Sequence, residues 1–413
     1  LEVFIALFPC YDSYTVCVPV LSFLDARATV LRQVQAHRVP PPTEEATLAA
    51  SAGRILAENV PADRDYPPFN RSVRDGFAVR AADVPGRLRI IGEVRAGERF
   101  LGVVRRGEAV EIMTGAPVPE GADAVVMVEH CTRHDDGTIE TDRIASSGLN
   151  IAPSACEARA GQLILQPGTR IDYAAVAWLA TIGRSAVAVY VRPRVAILAT
   201  GDEIVGVAEA PAPHQIRNSN TYSLAAQVRR AGGDPVILPV ARDNKESTRQ
   251  LIQRGLEADM LLLSGGVSAG KYDLVEPVFE ELGAEFYFDR VLIQPGQPLV
   301  FGRARQKFFF GLPGNPASTM VTFELFARAA LELLAGASDA PLPLTLARLT
   351  RPFRHKAGLT RFLPASLSCA EVTPVDWQGS GDVPALCRAN AFLVADANQP
   401  EYAAGDLIPV ILK

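Results

Sequence analysis

The chain has 413 residues, of which 48% are hydrophobic and 21% charged, and a formal net charge of −5. These values are ordinary for globular protein, and the length implies roughly two to four domains, each able to bury its own core. The acidic balance leaves no basic footprint for nucleic acid or an anionic membrane surface, so anionic ligands have to be held by local groups.

Residues 1–19 are apolar at the start but broken by Pro9, Asp12 and Ser13. They are too short for a transmembrane helix and lack the basic flank of a signal peptide, so a peripheral N-terminal extension is expected. The six cysteines (Cys10, Cys17, Cys131, Cys156, Cys369, Cys387) form no Cys-x-x-Cys pair, and only five histidines are present. That argues for free thiols in a reducing cytosol and against a structural zinc site.

The spacing of Leu21, Phe23, Leu24, Val30, Leu31 and Val34 predicts a helix over 20–36. A second helix is expected over 44–55, with Leu48, Ala49 and Ile55 on one side. Pro67 and Pro68 forbid regular helix across 64–70 and mark a rigid extended link. Over 76–128, strand-like runs at 77–79, 88–91, 103–104, 110–112 and 124–126 alternate with Gly and Pro turns, the pattern of a small, barrel-like all-β domain. Residues 139–190 read as a second linking region with one helix over 173–182. The pattern then changes. Strands at 195–199, 236–238, 260–263 and 308–311 alternate with helices at 220–231, 247–256, 274–282 and 316–334. This alternation implies a mostly parallel sheet with helices on both faces. After Ala335 and Gly336 a β-rich tail carries strands at 344–349, 362–367, 391–394 and 407–412.

In an open parallel sheet, ligands sit beyond the carboxyl ends of the strands. Three loops follow predicted strands: Thr200-Gly201-Asp202-Glu203; the run 264–273, with Ser264, Gly265, Gly266, Ser268 and Asp273; and Gly311-Leu312-Pro313-Gly314-Asn315-Pro316. Glycine-rich turns after apolar strands present backbone amides to an anion. Asn315 is typed as an N-cap and Pro316 as the first helical residue. Such a helix start is worth about 0.3–1 kcal/mol to an anion at an exposed site. Four carboxylates, Asp202, Glu203, Asp243 and Asp273, fall near the same strand ends. Acids do not hold phosphates directly, but they do so through a bridging Mg²⁺. The combination points to phosphoryl or nucleotidyl chemistry. Each feature also has a plain structural reading: a common glycine turn, a simple Asn-Pro cap, a solvated acidic turn. Their convergence on one sheet edge favours a site. Two further polar turns, 70–77 and 113–119, read locally as turns and nothing more.

Taken in order along the chain, these motifs resemble those of the molybdopterin molybdenumtransferases, the MoeA and gephyrin E-domain family. The matching segments are Pro67-Pro68-Phe69-Asn70-Arg71-Ser72-Val73-Arg74-Asp75-Gly76-Phe77-Ala78-Val79-Arg80, Gly97-Glu98, Ile112-Met113-Thr114-Gly115-Ala116-Pro117, and Ala122-Asp123-Ala124-Val125-Val126. They continue with Thr200-Gly201-Asp202-Glu203-Ile204, Asn218-Ser219-Asn220, Ser264 to Gly270 with Asp273, Gln294-Pro295-Gly296-Gln297-Pro298, and Leu312 to Pro316. Together they cover the chain from about residue 20 to its end.

The resemblance implies a multidomain α/β plus β fold. Residues 20–62 and 146–190 would form an elongated helical linker domain, 63–145 a β-rich domain, 191–337 a three-layer molybdopterin-binding α/β domain, and 338–413 a C-terminal β-barrel, with 1–19 an atypical extension. The implied activity is insertion of molybdate into adenylylated molybdopterin with hydrolysis and release of AMP, assisted by Mg²⁺. A cytoplasmic homodimer is implied, its pocket at the subunit interface, where Asp75 and Thr114 of one chain face the α/β domain of the other. Transient contact with the molybdopterin adenylyltransferase and with acceptor molybdoenzymes follows from the same resemblance, and no nucleic-acid or membrane partner does.

Carried over residue by residue, the resemblance makes Asp75, Glu203, Asp243 and Asp273 the catalytic acids, with Glu203 and Asp273 organising metal and water. Thr114, Ser264, Gly265, Gly266, Ser268, Pro313, Gly314, Asn315 and Pro316 would bind the substrate. Many family members carry lysines where this chain has Gln294 and Gln297, and Gly-Arg where it has Gly358-Leu359. The oxyanion would then rely on Gln294, Gln297, Ser380 and Arg361, with Ser268 as a further neutral donor. Glu157 stands where the family has an aspartate in a Gly-Glu-Asp turn. A non-catalytic molybdopterin-binding scaffold, a tungsten-selective paralogue and the related adenylyltransferase are the competing readings. The flanking β-rich segments and the Asp75 motif argue against the last.

Overall fold

The computed structural model describes residues 20–266 and 274–413. The expected N-terminal extension and the positions Ser268 and Asp273 lie outside the described residues. The chain divides into two units, one of Glu58–Gln166 with Ala174–Ser185, the other of the remaining chain.

The larger unit is organised by a six-stranded sheet. Its strand order is Asp234–Ile237, Arg194–Ala199, Met260–Ser264, Lys307–Leu312, Pro298–Ala304, Glu285–Arg290. The first four are parallel; Pro298–Ala304 runs antiparallel to both its neighbours, and Glu285–Arg290 beyond it again runs in the direction of the first four. Successive residues of a strand enter different cores. Val195, Ile197, Leu262 and Phe310 pack with Leu224 and Val228 of the helix Asn220–Arg230 and with Val30 of the helix Phe23–His37. Ala196, Leu198, Leu261 and Phe309 pack on the other face with Ile252 of Lys245–Gly255 and Val278 of Val275–Glu281. A strand covered on both faces needs apolar residues at every position, and this is why these segments read as unbroken hydrophobic runs.

The antiparallel edge was not legible beforehand. The strands Pro298–Ala304 and Lys307–Leu312 pair Ala304 with Lys307 across a tight turn of Arg305 and Gln306, both at positive φ (46° and 64°). Such turns favour Gly or Asn, and this one carries neither, so the usual hairpin signal is missing.

Two expected helices change form. The segment 44–55 opens as the strand Thr43–Thr47, paired antiparallel with Ala186–Tyr190, and only Leu48–Ser51 is helical. The prolines at 40–42 deliver the chain extended, and pairing overrides the helix preference of Glu-Glu-Ala. The segment 316–334 stays helical but passes through a π turn at Phe323–Ala327, between Pro316–Thr322 and Arg328–Leu334. Within that turn the Leu325 carbonyl accepts from Arg27 Nη1, and Arg27 Nη2 donates to Ala340 O at 2.6 Å.

In the C-terminal region, Leu344–Leu349, Thr360–Ser368, Glu371–Pro374, Ala391–Ala395 and Leu407–Leu412 close into a five-stranded barrel. Ile293–Gln294 pairs in parallel with Thr360 and Arg361 at its side. The six-residue helix Val383–Arg388, absent from the sequence reading, is capped by Asp382.

The smaller unit holds a second six-stranded sheet, ordered Ala124–Met127, Gly76–Val79, Glu108–Ile112, Gly86–Val94, Thr138–Thr141, Thr132–Arg133. Among the described residues no pairing joins its outer strands, so the barrel-like expectation resolves into an open, half-barrel sheet with a core on each face. Cys131, Cys156, Cys369 and Cys387 are free thiols. No helix among the described residues is long and apolar enough to cross a membrane.

Phe309 lies fully buried, stacked on Phe279 with ring centroids 3.7 Å apart and meeting Phe286 edge-on. Phe309→Ala is expected to destabilise the sheet by about 3–5 kcal/mol. A urea titration reads this as a lower midpoint, and an unchanged midpoint would contradict the packing.

Candidate functional site

Parallel register sets where the loops emerge. Ala199, Ser264 and Leu312 are direct neighbours across three strands. The chain therefore leaves the sheet at one level in three places, at Thr200, Gly265 and Pro313. The edge is extended by Thr200 pairing with Ala241, which brings Arg242 and Asp243 to the same end.

The loop after Ser264 is locked against its neighbours. Gly265 and Gly266 have φ of +90° and +67°, a region that glycine enters without strain. The Gly265 amide donates to Leu312 O at 3.2 Å, and the Thr200 amide to Ser264 O at 3.2 Å. A Cβ on Gly266 would lie 2.8 Å from Thr200 Oγ1 and 3.0 Å from Val275 Cγ2. Thr200, only 8% exposed, is therefore a buttress of this turn; sequence reading placed it in a loop and gave it no task.

The loop after Leu312 enters its helix at Pro316, as expected, but Asn315 does not cap it with its side chain. The Asn315 amide donates instead to Ser380 Oγ at 2.9 Å, and the Ala317 N–H donates to Ser380 O at 2.9 Å. Ser380 stands in a turn drawn tight by Asp382, whose carboxylate accepts from Gln378 N (2.9 Å) and Ala385 N (3.0 Å). Those two amides hold its carboxyl below the usual carboxylate range. Thus one residue expected at the oxyanion, Ser380, touches one expected at the substrate, Asn315. The other oxyanion candidates form a second group. Gln294 is the strand partner of Arg361, and a Cβ on Gly296 would strike Thr322 Cγ2 of the helix that starts at Pro316. The turn carrying Gln297 therefore lies against that helix.

The acids gather at the Thr200 turn. Asp202 and Asp243 each accept the other's backbone N–H at 3.3 Å. Glu203 folds its carboxylate back over Gly201, whose missing Cβ leaves the room. All three are exposed, and the adjacent Arg242 donates to the Asp202 carbonyl at 3.4 Å instead of neutralising a carboxylate. Among the described residues no three His, Cys, Asp or Glu side chains converge into a metal cage. A hydrated Mg²⁺ requires less, one or two carboxylates plus substrate phosphates, and these acids fit that demand.

In the smaller unit the Asp75 turn is organised in its own right. Asp75 Oδ1 accepts from Thr114 N at 2.6 Å and from Thr114 Oγ1 at 2.8 Å. The Thr114 amide, and then its hydroxyl, hold the Asp75 carboxyl below its ordinary value. Ser72 fixes the same turn, its backbone pairing with Gly115 (2.8 Å) and Ala116 (2.9 Å). Glu157 pairs with Arg71 at 2.5 Å, so its carboxylate serves that unit's own framework.

Comparison with known proteins bears on this arrangement. Three family models match in order: the MoeA N-terminal region (domain I and II) over residues 21–183, a probable molybdopterin binding domain over 196–333, and the MoeA C-terminal region (domain IV) over 346–413. The chain belongs to the MoeA family. Among MoeA-family relatives, the molybdopterin molybdenumtransferase of Bacillus subtilis is 35% identical over 389 residues, covering 90% of each chain. That of Staphylococcus aureus (strain Mu50) is 33% identical over 383 residues, covering 90% of this chain and 91% of the relative. Among solved structures, the molybdopterin biosynthesis MoeA protein from Pyrococcus horikoshii OT3 is similar with a TM-score of 0.77 at 27% identity, covering 96% of this chain and 100% of that one.

Two substitutions probe the geometry. Gly266→Ala places a Cβ at φ +67° against Thr200, and is expected to cost about 2 kcal/mol, read as a lower thermal midpoint. Thr114→Val removes the hydroxyl donor to Asp75 but keeps the stronger amide contact. The Asp75 carboxyl should then titrate higher than in the wild type but still below the ordinary range, as followed by carbon-13 NMR. The sign follows from the depressed folded value. Asp75 favours the fold above its unfolded-state pKa, and that contribution fades as pH falls through the folded value.

Proposed function

We propose that the carboxyl edge of the parallel sheet binds adenylylated molybdopterin and molybdate, inserts molybdenum into the pterin dithiolene, and releases AMP by hydrolysis of the phosphoanhydride. The observation that carries this reading is the register of Ala199, Ser264 and Leu312, which lines up two glycine loops and an acidic turn on one edge of a MoeA-family chain. Glycine turns and exposed carboxylates on one edge support this reading, because phosphoanhydride chemistry calls for pre-placed dipoles beside a metal-binding acid.

In this reading Ser264, Gly265 and Gly266, with Pro313, Gly314, Asn315 and Pro316, cradle the phosphates and pterin, and Ser268 belongs with them by its place in the sequence. Glu203 and, by its place in the sequence, Asp273 would hold Mg²⁺ and organise the attacking water, with Asp243 a further catalytic acid beside Glu203; the ion would neutralise charge on the leaving phosphate. Gln294, Gln297, Arg361 and Ser380 receive the molybdate substrate. Two copies of the chain act together, the Asp75–Thr114 turn of one serving the loops of the other.

AMP release from adenylylated molybdopterin tests the reaction. With Mg²⁺ the purified protein should release AMP faster when molybdate is present, and Asp243→Asn or Asp273→Asn should slow this by roughly a hundredfold. Tight binding without release from well-folded protein would instead support a carrier. Complementation tests the shared site. Asp75→Asn and Asp243→Asn should each be nearly inactive alone. Mixed through unfolding and refolding, they should recover about a quarter of wild-type activity, because half the dimers are hybrids and each hybrid has one intact site. No recovery would overturn the inter-subunit arrangement.

A further inference from the structure

Asn220 opens the helix Asn220–Arg230 at the same sheet edge. Its side-chain amide nitrogen lies 2.8 Å from Ser264 Oγ and 2.7 Å from Gly314 O. A carbonyl oxygen can only accept, so the contact with Gly314 fixes which end of the amide is nitrogen. That nitrogen has two hydrogens and no acceptor capacity. One hydrogen goes to Gly314, and the other must go to Ser264, whose oxygen is therefore the acceptor. The Ser264 hydroxyl hydrogen is left to point elsewhere. Ser264 is only 2% exposed, and among the described residues it has no other side-chain hydrogen-bond partner. The Asn220 Oδ1 atom is likewise buried with no partner among the described residues.

We infer that Asn220 is a positioning residue that turns the Ser264 hydroxyl into a dedicated donor toward an anionic oxygen of the bound substrate, while tying the loops after Met260–Ser264 and Lys307–Leu312 to each other. Without Asn220 the serine hydroxyl can rotate and donate to a neighbouring carbonyl. With it, the donor is set before the ligand arrives, and no ordering cost falls on binding. This rests on the functional reading above, which puts a phosphate-bearing ligand at Ser264.

The test is a double-mutant cycle on the full-length protein, with adenylylated molybdopterin as the titrated ligand and AMP release as the second readout. Because a hydrogen bond to a charged group is at stake, Ser264→Ala should weaken binding by about tenfold, Asn220→Ala by a similar factor, and the double variant by no more than either alone. Asn220→Asp keeps the volume but cannot donate, so Ser264 will donate to the new carboxylate; binding should fall at least as far as in Asn220→Ala. Thermal midpoints accompany each titration. Unchanged affinity in Asn220→Ala, or losses that multiply in the double variant, would overturn the inference while leaving the functional reading intact. A loss that merely tracks a lowered midpoint would also overturn it, since a purely structural role predicts that. Wild-type protein that binds no adenylylated molybdopterin would overturn the functional reading, and this inference with it.

Discussion

The site depends on the register of four parallel strands. Parallel strands cannot be joined by tight turns, so every crossover passes through a helix and every strand ends on the same side. With Ala199, Ser264 and Leu312 abreast, the three following loops have to share one rim. A one-residue slip would turn each strand's side chains to the opposite face. Here both faces are buried against different cores, with Phe308 and Phe310 on one side and Phe309 on the other. Slippage would exchange those cores, so the packing that stabilises the sheet also fixes the height of its loops.

As the proposed site, that rim would have to reconcile an acidic protein with an anionic ligand. The net charge of −5 supplies no general attraction. The Gly265 amide and the Ala317 N–H are already taken by Leu312 O and Ser380 O, so in the proposed site the local attraction has to come from the rim's other donors, Ser264 among them, and from the partial positive charge of the helix start at Pro316. The acids of the Thr200 turn would repel the same ligand unless a cation lay between. Asp202 and Asp243 accept each other's backbone N–H, and among the described residues neither forms an ion pair, so in the proposed site both remain open to such a cation.

Much of this was legible in the sequence because it follows from short-range rules. The apolar runs, their alternation with helical periods, and the glycines after strands all encode local conformation, and they placed the three loops. What escaped depends on distant partners. The strand Thr43–Thr47 exists because Ala186–Tyr190 lies beside it, some 140 residues later by the numbering. The Arg305–Gln306 hairpin lacks the residues its backbone prefers, because the flanking strands enforce it. Asn315 looked like a cap and became a link to Ser380, since the sequence cannot show that a turn 65 residues away offers a better partner. Asn220 stands in the Asn218-Ser219-Asn220 motif, but its task was not legible there, because its partners are Ser264 at the end of one strand and Gly314 in the loop after another.

At the corner proposed for the oxyanion, such long-range placement would offset a local change. Gln294 and Gln297 bring donors without charge to a turn that rests on the Pro316 helix. Parallel pairing then sets Arg361 opposite Gln294. Among the described residues its Nε is buried without a hydrogen-bond partner, and Nη2 donates to the Lys356 carbonyl at 3.4 Å. A guanidinium held by the barrel strand Thr360–Ser368 is more rigid than a lysine on a turn, and its planar fork suits a tetrahedral oxyanion better than a point charge does. In the proposed site the C-terminal barrel would thus have a role beyond its own stability: its strand Thr360–Ser368 sets Arg361 opposite Gln294, and its segment after Glu371–Pro374 brings Ser380 to Asn315.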